Sequence, residues 1–406
     1  GNYLSYTGLK TDTPLKEQYT TDADNKSITW FEYFANQAKD NMKQLLVLCE
    51  NAKAAGVELT EVEKQAAIDR AKQSYENVGR YARGVNQTDV DNCLILSMLA
   101  TKYQMTLEGE MTPSVEQIQT YYEKNPLNVL KADYYSYTFS YQVPKEGEKL
   151  AEGAVSQEAA KAEAEKLAAA TGVEDFKAKL KAYLVANHED HGDGEEDDHT
   201  NPDSFKVTAA AYNKDDEASK WLFDDTTVAG SVKLFHDDKA KTYRVYVLDK
   251  AKYLQEEDTV SVRHLLVATM EDSVTAEQAR KKAQGYYDQW QNGEKTEQSF
   301  ADLAMRYTDD GNYYNGGLYE GVYPDQMVKT FNDWCFDEAR KSGDVGLVDT
   351  DYGTHVIYFV GDDLPRWQTS VRGTLISEAY DAKVEEMTKA LTIQIEEELI
   401  KNLDVQ

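Results

Sequence analysis

Two histidines, a pair of adjacent aspartates and a methionine–phenylalanine pair are the side chains whose types and spacing could support chemistry. His264 lies in S-V-R-H-L-L-V-A (261–268), where apolar residues alternate around one arginine and one histidine. That alternation predicts a half-buried strand. His355 lies in D-Y-G-T-H-V-I-Y-F-V (351–360), a turn feeding a second such strand. Between them stand F-A-D-L-A-M-R-Y-T-D-D (300–310), the pair Gly316–Gly317, and D-Q-M-V-K-T-F (325–331). Met327 and Phe331 are four apart and share one helical face. Taken singly, each histidine reads as a satisfied core residue, Asp310 as a solvated turn carboxylate, and Met327 and Phe331 as ordinary core. Their order along one segment is what sets them apart.

That order resembles the parvulin family of peptidyl-prolyl cis-trans isomerases. The family pattern R-H-[IL]-L-V, F-A-x-L-A-x-x-[YF]-S-x-D, G-G, Q-M, x-x-F and G-x-H-[IV]-I is matched by Arg263–Val267, Phe300–Asp310, Gly316–Gly317, Gln326–Met327, Phe331 and Gly353–Ile357. The resemblance implies a catalytic set of His264, Asp310 and His355. It also implies a substrate pocket lined by Met327, Phe331, Tyr319, Thr350 and Tyr352. Such a site needs no cofactor, metal or nucleophile. Rotation about an X-Pro amide breaks no bond and is slow because partial double-bond character imposes a barrier of about 18–20 kcal/mol. An apolar slot must grip the proline ring, and the surroundings must favour the twisted amide. In this setting the paired histidines are expected to orient each other's tautomers rather than act as acid and base. The sequence departs from the family at Leu318-Tyr319-Glu320, where an Asp is lost and a tyrosine replaces the usual pocket leucine. The loop Thr269–Val274 lacks a basic cluster, so a phosphoserine-proline preference is not expected. Cys335 is expected to pack in the core, with no base in view to make it a nucleophile.

The elements that must position these residues belong to a chain of 406 residues with 73 acidic and 44 basic side chains and a net charge of −29. Such a polyanion is a poor partner for nucleic acid or anionic lipid, both of which need clustered Lys and Arg. Three cysteines, Cys49, Cys93 and Cys335, have neither the number nor the rhythm of a disulfide framework or a zinc cluster. No apolar run approaches the ~20 residues that span a bilayer. No signal peptide opens the chain, and the resemblance implies export, hence a removed leader or an N-terminal anchor.

Residues 1–27 read as an extended lead-in. A helix follows over 28–56, with Ser27 before it and Gly56 at its C′ position. Trp30, Phe34, Ala38, Met42, Leu45, Leu46 and Cys49 form its expected apolar stripe. Thr60 and Glu63 form a capping box for the next helix, Val62–Arg83. Further helices are expected at Thr88–Gln104 and over 111–126, the last stopped by Asn125-Pro126. These helices ahead of a parvulin unit resemble the N-terminal region of PrsA- and SurA-type foldases. After Val360, G-D-D-L-P-R-W (361–367) reads as a linker. An amphipathic helix from Leu375 to about Leu403 then carries Ile376, Ala379, Val384, Met387, Leu391, Ile395, Leu399 and Ile400 as its seam. The resemblance implies that it packs back on the N-terminal helices.

Residues 130–253 repeat the parvulin pattern in worn form. W-L-F-D-D-T-T-V-A-G-S-V (221–232) aligns without a gap on W-C-F-D-E-A-R-K-S-G-D-V (334–345). S-Q-E-A-A-K (156–161) parallels T-A-E-Q-A-R (275–280), and Phe176, Leu180 and Tyr183 parallel Phe300, Ala304 and Tyr307. Y-R-V-Y-V (243–247) parallels H-V-I-Y-F (355–359), which points to an internal duplication. On this alignment Tyr134 replaces His264, Tyr243 replaces His355 and Ala218 replaces Phe331, so the first copy should fold without catalysing. Where the glycine pair would fall lies H-E-D-H-G-D-G-E-E-D-D-H-T-N-P-D (188–203), with eight carboxylates and three histidines. His188, His191 and His199 could ligate a divalent metal. Gly192, Gly194 and the charge density favour a solvated acidic loop instead. The D-x-D-x-D-G ladder of a calcium loop is absent.

The expected fold is therefore α+β. It comprises a helical chaperone domain (1–127), a degenerate parvulin-like domain of antiparallel sheet and helices (128–255), a parvulin isomerase domain (256–363) and a C-terminal helix (364–406) joining the first domain. The expected partners are unfolded or nascent exported polypeptides with X-Pro bonds, and no nucleic acid. The expected setting is extracytoplasmic, at the surface of a Gram-positive-type bacterium, with a membrane tether supplied by a segment outside this sequence. Two rival readings remain. One is a non-catalytic holdase, whose 28 tyrosines suit promiscuous clients. The other is an acidic metal-buffering protein using 188–203.

Overall fold

A computed structural model describes residues 8–10, 13–78, 85–145, 149–187, 200–269 and 273–391. The chain divides into two compact units, Gly1–Ser114 with Glu257–Gln406, and Val115–Glu256.

The first unit opens with a two-stranded antiparallel ribbon, β1 (Tyr19–Thr21) and β2 (Ser27–Thr29). Helix α1 (Trp30–Ala54) follows directly, its N-terminus closed by a reciprocal capping box between Thr29 and Glu32. The expected start at Ile28 is thus corrected, because Ile28 and Thr29 pair with β1 before the chain turns helical. The expected apolar stripe is also only partly inward, with Phe34 39% and Met42 58% exposed while Val47, Leu48, Cys49 and Ala52 are buried. Gly56 sits at φ +71°, the left-handed C′ conformation that glycine adopts without penalty. In α2 (Glu61–Val78) the Thr60–Glu63 box forms as read, each backbone N–H donating to the other's side chain. Helix α3 (Gln87–Glu110) is capped by Asn86.

The second unit begins with α4 (Val115–Lys124) and a single turn, Pro126–Val129. It continues through β3 (Lys131–Ser140), α5 (Gln157–Ala168), α6 (Val173–Ala186), β4 (Lys206–Ala211), α7 (Glu217–Leu222), β5 (Val232–Asp237) and β6 (Thr242–Tyr253). Its sheet runs in the order β4-β3-β6-β5, antiparallel throughout. The side chains alternate between faces as the strand period of two requires. Tyr135, Phe139, Tyr243, Val245 and Val247 pack with α5 and α6 on one face. Ala132, Tyr246 and Leu248 pack with Ala218 and Leu222 of α7 on the other.

Back in the first unit, β7 (Thr259–Ala268), α8 (Ala276–Gln291), α9 (Glu297–Tyr307), β8 (Leu318–Val322), α10 (Lys329–Cys335), β9 (Val345–Thr350) and β10 (Gly353–Asp363) follow in turn. The sheet order is β8-β7-β10-β9, the same succession as in the other sheet. Leu265, Val267, Val356 and Tyr358 bury one face against Ala279, Ala283, Trp290, Phe300 and Ala304. Val262, Ile357 and Phe359 bury the other against Phe331 and Cys335 of α10.

The expected linker at 361–367 is corrected: β10 runs to Asp363 and α11 (Arg366–Ala390) starts after Pro365. Its first turns bury Trp367 and Val371, and Arg372 grips Asp363 through two hydrogen bonds of 2.7 and 2.9 Å. Burial alone would raise the Asp363 pKa, but the bonds from Arg372, the Leu364 N–H and Ser261 hold it below the ordinary carboxylate range. Tyr380 and Met387 of α11 share one core with Val47 and Ala52 of α1 and Ala100 and Tyr103 of α3. The part of the expected helix beyond Leu391 lies outside the described residues.

Candidate active site

Strands β7 and β10 bring the two histidines together. His264 pairs with Ile357 and His355 with Leu266, so the imidazoles occupy diagonal positions on one face of the sheet. Their Nδ1 atoms are 3.2 Å apart, and both residues are buried. Thr350, near the hairpin end of β9, sets its hydroxyl 3.0 Å from His355 Nε2. On the other side, His264 Nε2 lies 3.8 Å from Asp310 Oδ2. Phe331 stands edge-on to both imidazoles, at centroid distances of 5.7 and 5.3 Å. Tyr319 stacks on His264 at 4.9 Å and donates its hydroxyl to Asp310 Oδ1 at 3.4 Å. Met327 is half-buried against the same apolar cluster as Phe331.

Proton accounting orders this row. Between two Nδ1 atoms, one must donate and the other accept. A bare lone pair on His264 Nε2 would face a carboxylate, so the favourable arrangement turns an N–H toward Asp310. His264 Nδ1 then accepts from His355 Nδ1–H, and His355 Nε2 accepts from the Thr350 hydroxyl. His264 Nε2 has no hydrogen-bond partner within reach among the described residues, the carboxylate being too far for one. Desolvation lowers both imidazoles to a pKa of about 4, with Asp310 opposing the shift and, for His355, the neighbouring His264 adding to it. Both are therefore neutral at neutral pH. The row is polar and uncharged until it reaches the aspartate.

The loop between α9 and β8 holds Asp310 in place. Thr308 Oγ1 accepts from the N–H groups of Leu266 (3.0 Å) and Asp310 (3.1 Å). Asp309 donates its N–H to Leu266 O at 2.8 Å and accepts from Ala268 N–H at 3.0 Å. Asp310 Oδ1 accepts from Asn312 N–H at 3.0 Å. The glycine pair is needed because the loop returns across β7. A Cβ on Gly317, at φ +72°, would stand 2.1 Å from His264 O, and one on Gly316 2.6 Å from Ala301 Cβ. Arg263 closes the loop from the helical face of the sheet, donating to Glu297 at 2.8 Å and to Asn315 O at 2.7 Å.

Of the residues read from the sequence, His264, His355, Asp310, Thr350, Tyr319, Phe331 and Met327 converge. Tyr352 is 63% exposed on the β9–β10 turn, and no ring contact joins it to the cluster among the described residues. Its backbone N–H donates to Thr350 Oγ1 at 3.2 Å. Thr308, Asp309 and Arg263 take supporting roles that the motif segments containing them do not by themselves announce. Buried Cys335 is pushed up to a pKa of about 12, unsuited to nucleophilic chemistry. No group of three or more His, Cys, Asp or Glu able to hold a metal occurs among the described residues, and His188, His191 and His199 lie outside them. No described helix is long and apolar enough to cross a membrane.

Residues 243–362 match the family described as the PPIC-type PPIASE domain, which supports the parvulin resemblance for this segment. The chain is 31% identical over 157 residues to foldase protein PrsA 1 of Listeria innocua, covering 38% of this chain and 43% of that one. It is 32% identical over 144 residues to foldase protein PrsA 1 of Listeria monocytogenes, covering 35% and 42%. The match thus spans less than half the length of these curated relatives. Among solved structures, PrsA from Bacillus subtilis is 14% identical, covering 96% of this chain and 98% of that one, with a TM-score of 0.24. The solution structure of TbPIN1 is 30% identical, covering 25% and 96%, with a TM-score of 0.22.

Proposed function

We propose that this chain is a parvulin-type peptidyl-prolyl cis-trans isomerase and chaperone that assists the folding of exported polypeptides. The observation that carries the reading is the row Thr350–His355–His264–Asp310 beneath Phe331, with Met327 beside it. Phe331 and Met327 form the apolar slot for the proline ring. The neutral, desolvated imidazoles supply a floor that does not hydrate the amide, whose resonance must be lost in the transition state. Asp310 stands at the end of that floor, where the twisted amide would meet a fixed negative charge. No bond is made or broken in the client.

The chaperone part rests on exposed apolar surface. Phe34 and Met42 project from α1, the kind of surface that engages unfolded chains. We assign the domains as read from the sequence, 1–127, 128–255, 256–363 and 364–406, with the second derived from the third by duplication. The ungapped 221–232 and 334–345 segments and the common strand order support this assignment. Cross-strand register revises the equivalences. Val232 pairs with Val247 as Val345 pairs with Tyr358, so Arg244, not Tyr243, is the counterpart of His355. Tyr243 packs on the helical face instead. At the corresponding place the first module has a cavity of about 460 Å³ whose lining includes Asp215, Asp216, Phe235, His236, Arg244 and Tyr246. This charged hollow has one lining histidine rather than a facing pair, and Arg244 stands among its acidic groups. We place the protein outside the cytoplasm of a Gram-positive-type bacterium, tethered to the membrane; the similarity to Listeria foldase proteins supports the Gram-positive part of this reading.

The test is isomerisation of Ala-Xaa-Pro-Phe peptides by the whole chain, compared with Met327→Ala and Asp310→Ala. Acceleration that falls about tenfold or more in each variant establishes the enzyme and locates its pocket. No acceleration over several Xaa residues, with aggregation of an unfolded client still suppressed, leaves a non-catalytic holdase.

A further inference from the structure

Helices α2 and α3 reach the loop that carries Asp310. From α2, the Arg70 guanidinium donates a hydrogen bond to the carbonyl of Thr308. The same group lies over the ring of Tyr313, 4.4 Å from its centroid. Tyr313 in turn packs against Leu59, Ala67 and Met98 of the helical layer. Thr308 is the residue whose hydroxyl fixes the Asp310 N–H and the β7 edge, and Asp310 faces His264 Nε2. Arg70 is therefore linked to the imidazole row by its hydrogen bond to Thr308, the two peptide bonds from Thr308 to Asp310, and the 3.8 Å approach of Asp310 to His264.

A second observation gives the contact direction. Asn312, beside Tyr313, is 8% exposed, and neither its side-chain oxygen nor its nitrogen has a hydrogen-bond partner among the described residues. Burying an amide without partners is costly, and the amide would regain water if the loop lifted. The loop is thus held down against a cost of its own, and on the side of the helices Arg70 and Tyr313 add to the Thr308, Asp309 and Arg263 bonds that fix it to the sheet. Loss of that contact should displace the loop rather than merely slacken it.

We infer that Arg70 is a positioning residue for the candidate isomerase site, holding the Thr308–Asn315 loop so that Asp310 stands over His264. The inference rests on the isomerase reading for its consequence in rate. Arg70 itself touches neither the slot nor the imidazoles. The charged and titratable groups that do face the imidazoles are Asp310 and Tyr319 from the loop and β8, each histidine for the other, and Asp349 from β9.

The experiment uses the whole chain with Arg70→Ala and Arg70→Lys. Prolyl isomerisation is resolved into kcat and KM, and the imidazole nitrogens of His264 and His355 are followed by NMR as pH is varied. Arg70→Ala should lower kcat/KM about tenfold, mostly through kcat because the Met327–Phe331 slot is untouched. The same variant should move the imidazole titrations upward from the acid region, as water reaches His264. Arg70→Lys, which can still donate to Thr308 and stand over Tyr313, should recover activity to within about threefold. Unchanged kcat and unchanged imidazole titration in Arg70→Ala, with only a lowered unfolding temperature, would reduce Arg70 to a structural contact and overturn the inference. An inactive parent chain would instead count against the isomerase reading, and the imidazole signals would still decide the role of Arg70.

Discussion

At the scale of single residues, the two imidazoles set a measurable pH dependence. Each has a folded pKa of about 4, held there chiefly by burial, against about 6.5 in an unfolded chain. Between those values the unfolded state binds more protons, so the stability contributed by neutral burial is fully present above pH 6.5 and is lost as pH falls toward 4. By pH 5 the loss should reach roughly 2 kcal/mol per histidine. Denaturant unfolding at pH 7 and pH 5 measures it, and an unchanged midpoint would show that the imidazoles are hydrated in the folded chain. The row that produces this effect was readable only in part. R-H-L-L-V and G-T-H-V-I announce two histidine strands, but their Nδ1–Nδ1 contact depends on a diagonal register that no spacing within either strand reveals. Tyr319 looked like a departure from the family. In place, its ring covers His264 and its hydroxyl reaches Asp310, a role that the leucine it replaces could not fill.

Elements impose a different kind of constraint. Where the Gly316–Gly317 loop recrosses β7, Gly317→Ala must push a methyl into His264 O while holding φ near +72°. We expect a loss of roughly 3 kcal/mol or more, by the combined backbone and steric mechanisms. Gly285 lies on an exposed turn of α8 with open space around it. There Gly285→Ala should add about 0.5–1 kcal/mol of stability. Thermal or denaturant unfolding of the two variants separates the cases, and equal effects would refute the crossing geometry. The glycine pair was legible because glycines in tandem flag close approach, and the Thr60 box because its spacing is local. The start of α1 was not, since Ile28 and Thr29 fit a helix by pattern and are claimed by pairing with β1 instead. Under the proposed duplication, the β5–β6 register sets Arg244 rather than Tyr243 opposite the place of His355, and a one-residue slip in a strand moves a side chain to the opposite face. Arg70 and Thr308 are 238 residues apart. No local pattern could have joined them.

For the whole molecule, the feature with the widest reach is the core shared by α1, α3 and α11. Met387→Ala should cost about 2–4 kcal/mol in this core, as expected for truncating a buried methionine. A chain ending at Pro365 should expose Val47, Ala52 and Tyr103 and bind more of a hydrophobic dye than the intact chain does. Fluorescence of such a dye on both chains checks this, and equal signals would mean that α11 is not needed to close the core. The same feature sets an order of events in time. Residues 115–256 form a contiguous unit whose contacts are complete once that stretch has emerged. Helices α1 and α3 are made first, yet their shared core needs Tyr380 and Met387, so closure waits on one of the longest sequence separations in the chain. The apolar surface of α1 and α3 therefore stays open until α11 has been made, and on the proposed chaperone reading it is the kind of surface such a protein would engage.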